Sequence, residues 1–126
     1  GSGYIGVEIA GILSGLGTET HLLLRGERPL SRFDSMIGET LLEIMNKKDI
    51  IVHKNHIAQA IHLHSDGKKS IVCEHGSIIQ KIDVIIAAVG RKPRTMPLNL
   101  EGIHVETDLN GLITVDTFQN TTIKGI

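Results

Sequence analysis

From Tyr4 to Leu16 the apolar residues Ile5, Ile9, Ile12, Leu13 and Leu16 recur at helical spacing, and Gly17 is a natural stop. Thr18 to Arg25 then reads as a strand, with Leu22, Leu23 and Leu24 as an unbroken buried run. Gly26 to Ser31 is a loop punctuated by Gly26 and Pro29. Asp34 or Ser35 can cap a second helix, with Gly38 and Glu39 in its early turns. Met36, Ile37, Leu41, Leu42, Ile44 and Met45 give that helix an apolar face. It ends near Lys47 and Lys48, cations suited to a helix C-terminus. Ile50 to Lys54 is a short strand. Helix, strand, helix, strand is the order a parallel doubly wound sheet requires.

The texture then changes. Ile57 to His64 alternates, Ser65-Asp66-Gly67-Lys68 is a hairpin signal, and Ser70 to Glu74 is a second strand. His75-Gly76-Ser77 turns into a third strand at Ile78 to Gln80, so an antiparallel meander replaces a crossover helix. Asp83 to Val89 is nearly all apolar, as a strand buried on both faces would be. Gly90 follows at the edge where open α/β sheets bind ligands. Arg94 to Leu100 reads as an irregular linker. Short strands are expected at Gly102 to Glu106 and Leu112 to Asp116, and a turn into another strand over Asn120 to Ile126. The fold class is therefore α/β: a Rossmann-like parallel sheet with flanking helices and an antiparallel β-meander crossover. Residues 1–93 form the nucleotide-binding domain and 94–126 a return segment.

Composition narrows the picture. The 126 residues suffice for one domain with its own core, and 40% hydrophobic content argues against disorder. A net charge of -1 without long like-charged runs gives no support for a nucleic-acid or membrane-surface role. No apolar stretch approaches the ~20 residues of a membrane span. The single cysteine, Cys73, lies in a probable strand on the same face as Ile71 and reads as a structural thiol. Among seven histidines, His62 and His64 share a strand face and His53 and His56 are near in sequence, but no Cys or carboxylate completes a ligand set, so no metal site is expected.

The chemistry is concentrated at the start, G-S-G-Y-I-G-V-E. Gly1, Gly3 and Gly6 have the G-x-G-x-x-G spacing of a dinucleotide turn. The first glycine makes a tight turn, the second admits a pyrophosphate to the backbone, and the third lets the helix pack closely. Unpaired amides and the helix dipole favour an anion there. About 20 residues on, an NAD site places Asp or Glu on the ribose. Here that place holds Leu24, followed by Arg25, with Arg28 and Arg32 close behind. A carboxylate would repel a 2′-phosphate, whereas a guanidinium pairs with it, so the residues point to NADP(H). The chain starts on the first glycine, so the strand expected before the turn is absent. The sequence is accordingly read as a piece of a longer protein, and its isolated stability is expected to be marginal because neighbouring strands lose ladder bonds.

G-x-G-Y-I-x-V-E, L-R-G-E-R-P-L-S-R-F-D, A-A-V-G-R-K-P and G-L-I-T-V-D-T-F-Q-N-T together resemble the flavin-containing disulfide reductases, and within them the glutathione reductase branch. The resemblance covers nearly the whole chain. It implies that Gly1, Gly3 and Gly6 form the pyrophosphate turn and that Tyr4, with Ile5 beside it, covers the nicotinamide pocket. It implies that Glu8 lies near the nicotinamide and pairs with a lysine elsewhere, that Arg25 grips the 2′-phosphate, and that Gly90 and Arg91 close the cofactor site. Two positions depart from the pattern. The second 2′-phosphate arginine falls on Ser31, with Arg32 one residue later, and Gly6 is the residue usual in NAD-linked lipoamide dehydrogenases. The resemblance further implies NADPH and FAD as cofactors, the flavin mostly bound outside this segment. It also implies glutathione disulfide as substrate, a redox-active disulfide outside this segment, a homodimer, and a cytoplasmic setting. Trypanothione, mercuric and dihydrolipoamide enzymes remain open, as does a non-enzymatic nucleotide-binding module.

Overall fold

A computed structural model describes residues 1–126, which divide into two compact units, Gly1–Val89 and Gly90–Ile126. In the first unit, helix α1 (Tyr4–Gly15) rises directly from the glycine turn, with Gly3 as its N-cap. Leu16 closes its last turn, and Gly17 takes the left-handed φ of +84° that lets Thr18 bond back to Leu13. Strand β1 (Thr20–Leu23), helix α2 (Ser35–Lys47) and strand β2 (Ile50–His53) follow. Asp34 caps α2, its carboxylate accepting from the Met36 amide at 2.9 Å. The strands pair in parallel from Thr20↔Ile50 to Leu23↔His53.

Alternation sends the two faces of this pair to two cores. Leu22, Leu24 and Ile50 pack with Ala10 of α1 and Met45 of α2. On the other face Leu23 packs against Ile71, Cys73 and Ile79 of the meander. The meander itself is β3 (Ala58–Leu63), β4 (Lys69–Cys73) and β5 (Ile78–Ile82), antiparallel in that order. Its turns use Gly67 and Gly76 at φ of +81° and +78°. The parallel pair is thus the middle layer between helices and meander. Cys73 is 2% exposed on the same face as Ile71, as a structural thiol should be.

Three expectations are corrected. The face of α1 that meets the sheet is not the bulky one: Gly6 and Ala10 are buried, with Val7 packed beside them, while Ile12 and Leu16 are 61% and 77% exposed. Close approach to the strands selects small side chains, and of the larger ones Ile5, Ile9 and Leu13 are half-buried while Ile12 and Leu16 are turned out. Asp83–Val89 forms no strand and is not buried on both faces. Ile85 reaches the meander core, but Val84 and Val89 face solvent. The backbone lying against it is Gly1, a turn residue that offers no ladder, and β1 is paired along one edge only. In the second unit the expected strands reduce to one isolated bridge, Thr107 with Ile113, beside short 3-10 turns at Met96–Leu98 and Leu100–Ile103. The Asp108 carboxylate accepts from the Asn110 and Leu112 amides, and that of Asp116 from Phe118 and Asn120, so donors a ladder would need are used locally. Asn120–Ile126 likewise closes on itself, with Thr121 N–H bonded to the Ile126 carbonyl.

On the meander-side face, His21 Nδ1 and His53 Nε2 share a hydrogen bond of 2.9 Å, with the rings stacked and His56 tilted against His53. Burial, and then the nearby His21 and His56 rings, hold the His53 pKa below its ordinary value. A histidine depressed in the fold favours the neutral form. Its contribution is therefore complete above the unfolded value of about 6.5 and is lost as pH falls below it. Urea midpoints measured from pH 8 to pH 5 should fall on the acid side, and His53→Gln should flatten that fall; an identical acid limb in the variant would refute the assignment.

Candidate functional site

The three glycines have three different surroundings. A Cβ on Gly1 would lie 1.8 Å from the Ala88 carbonyl oxygen, and one on Gly6 would lie 2.0 Å from the Gly1 carbonyl oxygen. Backbone occupies both places, so neither position admits a side chain without movement. A Cβ on Gly3 would meet nothing within 4 Å. Gly1 and Gly6 are therefore required by packing, whereas Gly3 leaves open space above the turn, as a ligand approaching the backbone needs. Gly3 also brings no side chain to cap α1. The helix end keeps its partial positive charge for an incoming anion.

Arg25 emerges where β1 ends, at the same edge of the sheet. Its side chain is exposed, while Leu24 beside it is wholly buried in the helix-side core. Nothing acidic therefore stands at the place where an NAD-type carboxylate is expected. The Arg25 guanidinium lies within electrostatic reach of Gly1 in the turn. The loop after Arg25 is also tied to the turn: the Leu30 N–H donates to the Ser2 carbonyl at 2.9 Å. Ser31 and Arg32 are exposed on this loop. Arg28 is half-buried, 3.8 Å from a Glu39 carboxylate oxygen.

Tyr4 and Glu8 lie one helical turn apart on the exposed flank of α1, Tyr4 being 44% exposed, and Ile5 is half-buried next to them. The first unit thus carries Gly1, Gly3, Tyr4, Ile5, Gly6, Glu8, Arg25, Ser31 and Arg32, with Arg25 and the Leu30 amide the parts of the loop shown close to the turn. Gly90 and Arg91 open the second unit; Gly90 has φ of +155°, which L side chains rarely adopt. No group of three or more His, Cys, Asp or Glu side chains is arranged to hold a metal ion. A depression of the first unit lies at the opposite end of the strands, among Ser14, Gly17, Thr18, Glu19 and Lys48. Open α/β sheets bind ligands at the carboxyl ends of their strands, so the glycine turn, not that depression, is the candidate. Sequence reasoning missed the Leu30–Ser2 tie and the packing of Gly38 against the loop. A glycine inside an otherwise good helix was the available signal for the second.

The model of the pyridine nucleotide-disulphide oxidoreductase family matches residues 1–126. A glutathione reductase of Schizosaccharomyces pombe is 36% identical over 127 residues, covering 100% of this chain and 27% of that protein. The HOCl-induced flavoprotein disulfide reductase RclA of Escherichia coli superposes with a TM-score of 0.83 at 27% identity, over 97% of this chain and 27% of that one. An engineered water-forming NADPH oxidase bound to NADPH shares the fold, with a TM-score of 0.78 at 21% identity over 96% of this chain and 26% of that one. The chain spans about a quarter of the length of these relatives. Gly1→Ala should drive the turn from the Ala88 carbonyl and lower stability by about 1–3 kcal/mol, the usual cost of overpacking. A urea titration at pH 7.5 would test this, and an unchanged midpoint would show that the turn does not depend on that contact.

Proposed function

The chain belongs to the pyridine nucleotide-disulphide oxidoreductase family, and from that premise we propose that it is the NADPH-binding segment of a glutathione reductase-type enzyme. The overall exchange is NADPH, a proton and glutathione disulfide giving NADP+ and two glutathione molecules. The observation that carries the cofactor choice is the Leu24–Arg25 pair: the acid site of an NAD enzyme is filled by a buried leucine, and a guanidinium stands exposed beside the glycine turn. Similarity to the yeast glutathione reductase over the whole chain supports the substrate.

On this reading the turn amides at Gly3 and the start of α1 hold the pyrophosphate, and Arg25, with Ser31 or Arg32, holds the 2′-phosphate. Tyr4 covers the nicotinamide, and Glu8 lies near it. Residues 1–93 form the binding domain and 94–126 lead back toward the flavin domain of a cytoplasmic homodimer. FAD, bound in the longer protein, would supply the two-electron relay between nicotinamide and redox disulfide. What this chain contributes is binding and orientation: a fixed turn for one phosphate and a fixed cation for the other.

One observation favours a second reading. Gly6 occupies a position that is glycine in the NAD-linked lipoamide dehydrogenases, so that branch is the alternative. The two differ in their response to a 2′-phosphate. Calorimetric titration of the full-length protein with 2′,5′-ADP and 5′-AMP should show tighter binding of the former. Arg25→Ala should remove about 2 kcal/mol of that preference, the scale of a lost charge-assisted pair. Equal binding of both ligands would favour the lipoamide-type reading.

A further inference from the structure

The loop that carries the arginines has one turn of its own, the Phe33 N–H donating to the Leu30 carbonyl at 2.8 Å, and is otherwise held from outside. It is fastened at three places. Toward the glycine turn, the Leu30 amide bonds Ser2. Toward the end of β2, the Asn55 amide donates to the Gly26 carbonyl at 3.2 Å and the Asn55 side chain donates to Glu27 at 2.6 Å. Toward α2, fully buried Pro29 and the stem of Arg28 lie against Gly38. A Cβ on Gly38 would stand 2.7 Å from the Pro29 carbonyl oxygen and 3.2 Å from Arg28 Cδ. Next along, Glu39 faces the Arg28 guanidinium. Leu30, the residue after Pro29, sits at a left-handed φ of +53° that the loop must impose on it.

From this geometry we infer that Gly38 is a positioning residue for 2′-phosphate recognition, acting through Pro29 and Leu30, and that Arg28 is packed onto this seat and is not a phosphate ligand. The inference rests on the NADPH reading of the site. The chain of contacts is short: the missing Cβ of Gly38 leaves room for the Pro29 carbonyl, Pro29 sets Leu30, and the Leu30 amide reaches the turn. Arg28 serves as the filler of that seat. Its stem covers Gly38 and its charge is met by Glu39, so of the three loop arginines it is the one turned to structure. Arg25 and Arg32 remain exposed for the anion. A methyl group at position 38 must push the Pro29 carbonyl away, and the loop carrying the arginines moves with it.

The test is titration of the full-length protein with 2′,5′-ADP and 5′-AMP, comparing the unsubstituted chain with Gly38→Ala and Arg28→Met. Gly38→Ala removes no charge, yet should reduce the ratio of the two affinities by roughly fivefold or more, with 5′-AMP binding within about twofold of the original. Arg28→Met keeps the stem and should leave the ratio within about threefold. If Gly38→Ala leaves the ratio unchanged, or weakens both ligands equally, the positioning role is refuted. If Arg28→Met abolishes the preference as Arg25→Ala should, Arg28 is a phosphate ligand and the inference fails while the NADPH reading stands. Equal binding of the two ligands by the unsubstituted protein would overturn both.

Discussion

Two absent carbon atoms set the architecture of the first unit. Because Gly1 and Gly6 lack Cβ atoms, the Ala88 carbonyl can lie against Gly1 and the Gly1 carbonyl against Gly6. These backbone contacts hold the start of α1 against the segment that leaves the meander, and Ile85 three residues earlier belongs to the meander core. The helix layer and the meander layer are thereby joined at one point, beside the carboxyl ends of both parallel strands. The candidate site is the open side of that junction. Gly3 is the member of the motif with empty space above it, which separates it from the two glycines that serve packing.

Much of this was legible in the residues. The glycine spacing, the helix after it, the leucine run and the Asp34 cap each follow from local rules, and their order gave the parallel pair and the meander. Arg25 beside Leu24 was equally readable, since charge at one position is a property of the sequence itself. The boundaries moved by a residue or two, as ladders and caps define them differently from propensity.

What was not legible depends on partners distant in the chain. Periodicity located an apolar stripe on α1 but not its orientation. The buried face is the one with small residues, because helix-to-strand distance outranks side-chain bulk there. Asp83–Val89 has a strand's composition, yet a strand needs a neighbour, and composition says nothing of neighbours. Around Asp108 and Asp116 the alternation suggested strands, but two carboxylates capture the local amides first. The arginine loop reads as ordinary loop sequence. Its shape depends on Gly38 of a helix and Ser2 of the turn, both outside the loop itself.

The contrast between the two sheets also bears on how the chain reaches its native state. Pairing Ile61 with Ile71 in the meander closes a segment of about ten residues, whereas pairing Thr20 with Ile50 closes about thirty. The longer closure costs about 1 kcal/mol more in chain entropy, and it waits on a helix being docked between its ends. The meander is therefore the part of the first unit suited to order early, from contacts local in sequence. The edge at the glycine turn needs the parallel pair, the turn and the arginine loop together, so it is the part of the first unit suited to order last.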